Sequence, residues 1–292
     1  MIIDTFDRLS INSDGIIIID GKKIAQGIMG ELKKLSNNNK FLAAVLVGSD
    51  PASESFLRQK EKVAKELGVD FRIFKFSENV LEDDLRGEVS KILAHKTCGG
   101  VIVQLPLPSA IDPQYVLNAI PREKDVDVLG ERALGAFYAG RNPVLPPAVG
   151  VVEKILSTLN FSPSTSSVAV IGLGALVGKP ISLYLERKCR NLYLLRRGSD
   201  FSILKKADLV ISGAGSPGII TPDMLKDNAI VIDFGYGKRQ MADSKKQVVG
   251  DFNPLSSVIS RKLSVSYTPT PGGTGPILVA SLLRNFYILN SK

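Results

Sequence analysis

Histidine and cysteine are almost missing from this sequence. Its 292 residues include one histidine, His95, and two cysteines, Cys98 and Cys189. A single imidazole rules out a multi-histidine metal centre and a relay of imidazoles, and it argues against a serine–histidine–aspartate triad, which would have to be built on His95 alone. The two thiols lack metal-ligand spacing and fall beside apolar stretches, so they read as buried free cysteines in a reducing compartment. Long hydrophobic runs are missing too. No apolar stretch approaches the ~18–20 residues of a membrane helix, and no membrane partner is expected. The opening "MIIDTFDRLSINSDG" has acids and no basic segment ahead of an apolar block, unlike a secretory signal. A cytoplasmic location follows as the expectation. The formal charge is +8, yet there is no basic tail, and aromatics are few among the basic residues. Only short pairs occur, such as Lys205-Lys206 and Arg196-Arg197. That argues against a nucleic-acid partner and for mild attraction to anionic small molecules.

What is present is ordinary for a soluble globular chain, with 44% hydrophobic and 23% charged residues. The length allows a proper core and two domains. Apolar runs alternate with helical patterns. Strands are expected at 41–48, 71–76 and 100–105, with helices over 51–68 and 81–95 between them. A second set starts near residue 167, with strands at 167–172, 191–195, 207–213 and 229–235 and a helix within 175–188. Such alternation predicts an α/β fold of parallel βαβ units, with ligands gathered at the carboxyl ends of strands. The Pro-rich stretch "RNPVLPPAVG" (141–150) separates the halves. A last helix, 274–289, follows "TPTPGG" and is expected to pack back on the first domain. The expected division is a catalytic domain of residues 1–145 plus 275–292 and a Rossmann-like dinucleotide-binding domain of residues 146–274, with a cleft between them.

"VIGLGALVGKP" (170–180) reads as strand, glycine-rich turn and helix. Gly172, Gly174 and Gly178 let the turn tighten and a phosphate approach the backbone, and the helix start favours the anion. The next strand ends in Arg196, Arg197 and Ser199, with no acid before Asp200. Basic groups there suit a 2′-phosphate, which favours NADP over NAD, the alternative. "GAGSPG" (213–218) offers a second close backbone approach, toward the nicotinamide half. The expected cofactor contacts are thus Gly172, Leu173, Gly174, Val177, Gly178, Arg196, Arg197, Ser199, Gly213, Ala214, Gly215 and Gly235.

In "GGVIVQLPLP" (99–108), Gln104 is an amide placed where a buried strand stops. On the helix over 51–68, Ser53, Phe56 and Lys60 fall at i, i+3 and i+7 and share one face. A lysine among apolar neighbours loses proton affinity and can act as acid or base near neutral pH; spacing alone also allows a surface lysine. "REKDVDVLG" (122–130) carries Asp125 and Asp127, aimed the same way if the segment is extended, or lying in a solvated turn.

Taken together, "DGKKIAQ" (20–26), "VGSDPASESFLRQK" (47–60), "GVIVQLPLP" (100–108), "KDVDV" (124–128), "VIGLGALVGKP" (170–180), "VVGD" (248–251) and "TPTPGGTGP" (268–276) resemble the bifunctional methylenetetrahydrofolate dehydrogenase/cyclohydrolase family. Order and gaps agree across residues 20–290; residues 1–19 have no assigned counterpart. The resemblance implies oxidation of 5,10-methylene-tetrahydrofolate to 5,10-methenyl-tetrahydrofolate with NADP, then hydrolysis to 10-formyl-tetrahydrofolate. It implies Lys60 as the central catalytic group, Gln104 bonded to it, and Asp127 holding the pterin ring. Ser53, Phe56 and the turn Pro271, Gly272 and Gly273 are implied as substrate contacts. It further implies tetrahydrofolate derivatives as partners, no metal, a link to purine biosynthesis and a homodimer.

Departures from the family pattern mark this chain. Phe56 stands for the usual tyrosine, Val128 for the glycine of "DVDG", and "PPAV" (146–149) for "PCTP". Gly172-Leu173-Gly174 replaces "GRS", and Arg197-Gly198 a His-Ser pair. Phe56 raises the alternative of a dehydrogenase with weak cyclohydrolase activity. The altered 146–149 and 172–174 segments raise that of a non-catalytic folate- or nucleotide-binding paralogue.

Overall fold

A mostly parallel seven-stranded sheet and a parallel three-stranded sheet organise the chain. The structure is a computed structural model describing residues 9–11, 17–35, 39–240, 246–254 and 264–291. The chain divides into two compact units, Met1–Gln26 with Ala148–Leu278, and Gly27–Pro147 with Val279–Lys292.

The first unit holds a seven-stranded sheet. Its strands are β1 (Leu9–Ile11), β2 (Ile17–Ile19), β6 (Ser167–Ile171), β7 (Asn191–Leu195), β8 (Leu209–Ser212), β9 (Ile230–Asp233) and β12 (Ser266–Tyr267), in the order β1-β2-β12-β9-β8-β6-β7. All neighbours are parallel except β1 and β2. The chain passes from β6 to β7 on one side and returns to β8 on the other. Strand order therefore reverses at β6, the place where doubly wound sheets open a ligand crevice at their carboxyl ends. A ribbon of β10 (Gly237–Gln240) and β11 (Lys246–Val249) stands apart, and the helices are α6 (Pro147–Thr158) and α7 (Gly178–Leu185). The core of this unit gathers Ala169, Ile171, Leu204, Val210, Ile220 and Val231.

The second unit is built on β3 (Phe41–Val47), with β4 (Asp70–Phe76) and β5 (Cys98–Val103) parallel on either side. Every residue of β3 and β5 is buried, the unbroken apolar pattern of a strand covered on both faces. Its helices are α2 (Pro51–Glu66), α3 (Glu82–Ala94), α4 (Pro113–Leu117) and α5 (Glu131–Tyr138). Two further helices are divided by the unit boundaries, α1 (Gly21–Leu32) and α8 (Thr274–Asn290), and α6 starts one residue before a boundary, at Pro147.

Two local facts explain the boundaries. The later part of α8 is locked onto the second unit. Tyr287 donates its hydroxyl to the Leu67 carbonyl (3.0 Å), Asn290 donates to the Gly99 carbonyl (3.0 Å), and Asn285 donates to the carbonyls of Val126 and Leu145 (2.8 and 2.7 Å). The paired glycines at the start of β5 serve this contact: a Cβ on Gly99 or Gly100 would lie 2.9 or 3.3 Å from the Phe286 ring. The amino-terminal segment behaves differently from the sequence expectation, which grouped residues 1–145 together. Ile17 and Ile18 pair with Ser266 and Tyr267 of β12, so β2 belongs to the first unit. A two-residue strand such as β12 would otherwise leave the polar backbone edge of β9's neighbour unpaired.

Candidate active site

The catalytic candidates of the second unit are assembled by α2 and the end of β5. Asp50 caps α2 by accepting from the Ser53 backbone N–H (2.8 Å), with Pro51 in the first turn, the chemistry that starts a helix. The buried face of α2 is Ser53, Leu57, Lys60 and Ala64. The expectation that Phe56 shares this face needs adjusting, since the ring lies at its border and is 38% exposed. Lys60 is only 9% exposed. Its Nζ donates to Gln104 Oε1 at 3.0 Å.

Gln104 follows β5 directly, and its backbone N–H still donates to the Val45 carbonyl of β3 (2.9 Å). Its side-chain Nε2 donates to the Leu105 carbonyl (2.8 Å). That bond fixes which way the amide faces, with its oxygen toward Lys60. An amide ending a buried strand thus orients an amine. Burial pushes the Lys60 pKa below its ordinary 10.5, and the charge of Asp127 partly opposes the shift. Burial likewise raises Asp127, while Lys60 pulls it back. Each ion is costly to desolvate, and each partly stabilises the other.

Asp125 and Asp127 do different jobs. The segment is not extended and Asp125 is not in a solvated turn, for it is 1% exposed. Its Oδ2 accepts from the N–H groups of Leu129 (3.0 Å) and Gly130 (2.8 Å), at the start of α5. Burial raises its pKa to about 6, against the lowering effect of those bonds. Val128 lies between them at φ 56°, a left-handed conformation rare for a β-branched residue. Among the described residues, the other non-glycine residues at positive φ are asparagines.

The cofactor candidates lie in the first unit, where the structure brings most of them together. Gly172 (φ 82°) follows β6, and a Cβ there would lie 2.7 Å from the Ala214 backbone. A Cβ on Gly178 would meet the Gly172 carbonyl at 1.8 Å, and one on Gly213 would meet Val177 Cγ1 at 2.6 Å. The loops after β6 and β8 therefore interlock through Gly172, Val177, Gly178, Gly213 and Ala214. Gly174 is different: it is exposed, and a Cβ there would meet nothing within 4 Å. Its bareness serves no internal packing and leaves backbone open beside the start of α7, which fits a dinucleotide phosphate. Arg196, Arg197 and Ser199 form a turn at the end of β7, closed by Arg196 N–H to Ser199 Oγ (3.0 Å). Both arginines are exposed. Gly235 is buried, where a Cβ would strike Asp251.

Pro271, Gly272 and Gly273 form a turn in the first unit. Gly273 donates its N–H to the Pro269 carbonyl (2.7 Å), and its own carbonyl leaves no room for a Cβ on Gly21. Among the described residues, no three histidine, cysteine, aspartate or glutamate side chains gather as a metal-ligand set. Sequence reasoning missed two buried acids, Asp233 and Asp251, which are 2% and 1% exposed. The signal available was an acid directly after glycine in "VVGD", within an otherwise apolar stretch.

A mostly parallel, doubly wound sheet with a glycine-lined turn after β6, where its strand order reverses, is the architecture of a dinucleotide-binding protein. Residues 19–127 match the catalytic domain, and residues 146–292 the NAD(P)-binding domain, of the tetrahydrofolate dehydrogenase/cyclohydrolase family. The bifunctional protein FolD of Exiguobacterium sibiricum is 34% identical over 279 residues, spanning 92% of this chain and 97% of the relative. The crystal structure of the bifunctional enzyme FolD from Campylobacter jejuni superposes with a TM-score of 0.84 at 29% identity, covering 93% of this chain and 97% of that one. The Trypanosoma brucei enzyme, complexed with NADP cofactor and inhibitor, gives 0.86 at 26% identity, covering 94% and 97%. The chain belongs to the tetrahydrofolate dehydrogenase/cyclohydrolase family, with methylenetetrahydrofolate dehydrogenase and methenyltetrahydrofolate cyclohydrolase activity in one-carbon metabolism.

Proposed function

We propose that Lys60 is the proton-transferring group of this enzyme, held by Gln104 and balanced by Asp127. In this reading the chain oxidises 5,10-methylene-tetrahydrofolate with NADP⁺ and hydrolyses the methenyl product to 10-formyl-tetrahydrofolate. The observation that carries it is the buried 3.0 Å bond from Lys60 Nζ to Gln104 Oε1.

In the oxidation, the N5 lone pair of the substrate expels a hydride from the bridging carbon. NADP⁺, when bound, supplies the hydride acceptor. Lys60 takes no electrons in this step; the protein's task is to position the substrate. Gly172, Leu173, Gly174, Val177 and Gly178 would hold the pyrophosphate side, and Gly213, Ala214, Gly215 and Gly235 the nicotinamide side. Arg196, Arg197 and Ser199 would meet the 2′-phosphate and so favour NADP over NAD.

In the hydrolysis, neutral Lys60 takes a proton from water as the oxygen bonds to the methenyl carbon. The resulting ammonium returns that proton to N5 as the C–N5 bond breaks. The carbinol proton leaves to solvent, so the 10-formyl product and one proton balance the cation and water consumed. A lysine with lowered pKa suits this double role near neutral pH. Asp127 would hold the pterin, with Ser53 and the Phe56 ring beside it. Phe56 lacks a phenolic hydroxyl, but the Lys60–Gln104 bond does not depend on one, which supports retention of both activities. The chemistry requires no metal. The assignment of Pro271, Gly272 and Gly273 to the substrate rests on the family resemblance, as do the homodimer and the supply of 10-formyl groups to purine biosynthesis; the cytoplasmic location rests on the composition of the sequence.

The test is a spectrophotometric assay of both steps, with NADP⁺ and NAD⁺ run in parallel on wild type and Lys60→Met. Wild type should perform both steps and prefer NADP⁺. The variant should lose hydrolysis by about a hundredfold or more and show impaired oxidation. Full hydrolytic turnover in Lys60→Met removes Lys60 from this role.

A further inference from the structure

The loop that leaves β8 has an internal anchor that the mechanism above does not use. Ala214, Gly215 and Ser216 follow the strand without entering a helix, so their N–H groups have no helical carbonyls to meet. They converge instead on one carboxylate 35–37 residues downstream. Asp251 Oδ2 accepts from Ala214 N (2.9 Å) and Gly215 N (3.2 Å), and Oδ1 accepts from Ser216 N (2.7 Å). Ser212, at the end of β8, adds a fourth bond from its hydroxyl to Oδ2 (2.6 Å).

Asp251 is 1% exposed, and the fold makes room for it. A Cβ on Gly235 would come within 2.4 Å of the Asp251 carboxyl carbon, just as one on Gly250 would come within 2.0 Å of Asp233 Oδ2. Asp233 in turn accepts from Gly235 N (2.6 Å) and Phe252 N (2.9 Å). Two buried acids and two glycines are thus reciprocally packed beneath the loop. A buried carboxylate accepting several N–H bonds costs a good deal to misplace, because each orphaned donor and the charge itself would go unsatisfied. The arrangement fixes the backbone of residues 213–216 before any ligand arrives.

We propose that Asp251 is the positioning residue of the oxidation step. It acts through the 213–216 backbone to set the nicotinamide side of the cofactor site, and it plays no part in hydrolysis. This rests on the reading of that loop as a cofactor contact.

The experiment compares wild type with Asp251→Asn, which keeps the shape but turns an N–H donor pair toward backbone donors. Amide hydrogen exchange on the cofactor-free full-length protein should be slow at residues 214–216 in wild type and about tenfold faster in the variant. The kcat of NADP-dependent oxidation should fall about tenfold while KM for NADP⁺ moves less than about threefold. Hydrolysis of methenyl-tetrahydrofolate without cofactor should be unchanged. Unaltered exchange and unaltered kcat overturn the proposal, and so does a parallel fall of oxidation and hydrolysis. Should Asp251→Asn fail to fold, Ser212→Ala removes one bond of four. A smaller kcat loss with faster exchange at 214–216 then supports the proposal, and neither change overturns it. Absence of NADP-dependent oxidation in wild type would count against the proposed function, while the exchange arm still decides the anchor.

Discussion

At the scale of single residues, side chains with similar sequence surroundings received different tasks. Asp125 and Asp127 stand two positions apart, yet one holds the turn at Leu129 and Gly130 that leads into α5, and the other is coupled electrostatically to Lys60. Spacing does not distinguish them, because the distinction comes from the left-handed turn at Val128. That residue is fully buried and packs with Ala133 and Val144. Its φ of 56° strains a β-branched side chain, and its burial offsets the strain. Replacing it by alanine loses the packing and keeps much of the strain, whereas glycine loses the packing and relieves the strain. Val128→Gly should therefore be the more stable of the two variants by about 1 kcal/mol. Urea unfolding of both variants measures the difference. A Val128→Ala variant equal to or more stable than Val128→Gly would show that the turn stores no strain.

At the scale of elements, most of the regular structure was legible. The limits of β3, α2, β4 and α3 follow hydrophobic period and caps closely, because those signals are local: Asp50 and Pro51 at the start of α2, and alternating apolar stretches bounded by turns. The helix after "GLGALVG" is shorter than its apolar pattern suggests, running only Gly178–Leu185, since Gly178 must first pack against the Gly172 carbonyl. What could not be read is partnership at long range. Three isoleucines at 17–19 carry no mark of the strand they join, and neither Asp251 nor the backbone groups it anchors shows its partner in the sequence. The paired glycines of β5 were visible, but their purpose became clear only with Phe286 of α8 in place. Gly100→Val places a side chain where a Cβ alone would come within 2.7 Å of Val126 Cγ1. Overpacking of this kind should destabilise the protein by about 1–3 kcal/mol, read as a lower urea midpoint. A midpoint equal to wild type would mean that Val126 and Phe286 do not close against this strand.

At the scale of the whole molecule, each unit contains a buried carboxyl raised to about 6, Asp125 in one and Asp233 in the other. Both folded values lie above the ordinary 3.8, so between pH ~4 and ~6 the folded chain binds more protons than the unfolded one. This contribution to stability is complete below pH ~4 and is lost as pH rises through about 6. Each group is worth about 3 kcal/mol across that window. The stability advantage of wild type over Asp233→Asn should accordingly shrink between pH 4.5 and pH 7 in chemical denaturation. A constant difference would contradict the assignment. The net charge of +8 sets the sign of long-range attraction for a polyanionic cofactor and folate, while Arg196 and Arg197 would supply local recognition.

The proposed mechanism depends on a lysine that sheds its proton more readily than a lysine in water. Labelling the lysine ε-carbons with ¹³C and identifying the Lys60 signal by its loss in Lys60→Met allows its titration to be followed by NMR. The account requires a midpoint clearly below the ordinary 10.5, rising when Gln104→Glu sets a carboxylate beside the amine. A Lys60 signal that titrates with the exposed lysines, and does not respond to the change at residue 104, would contradict it.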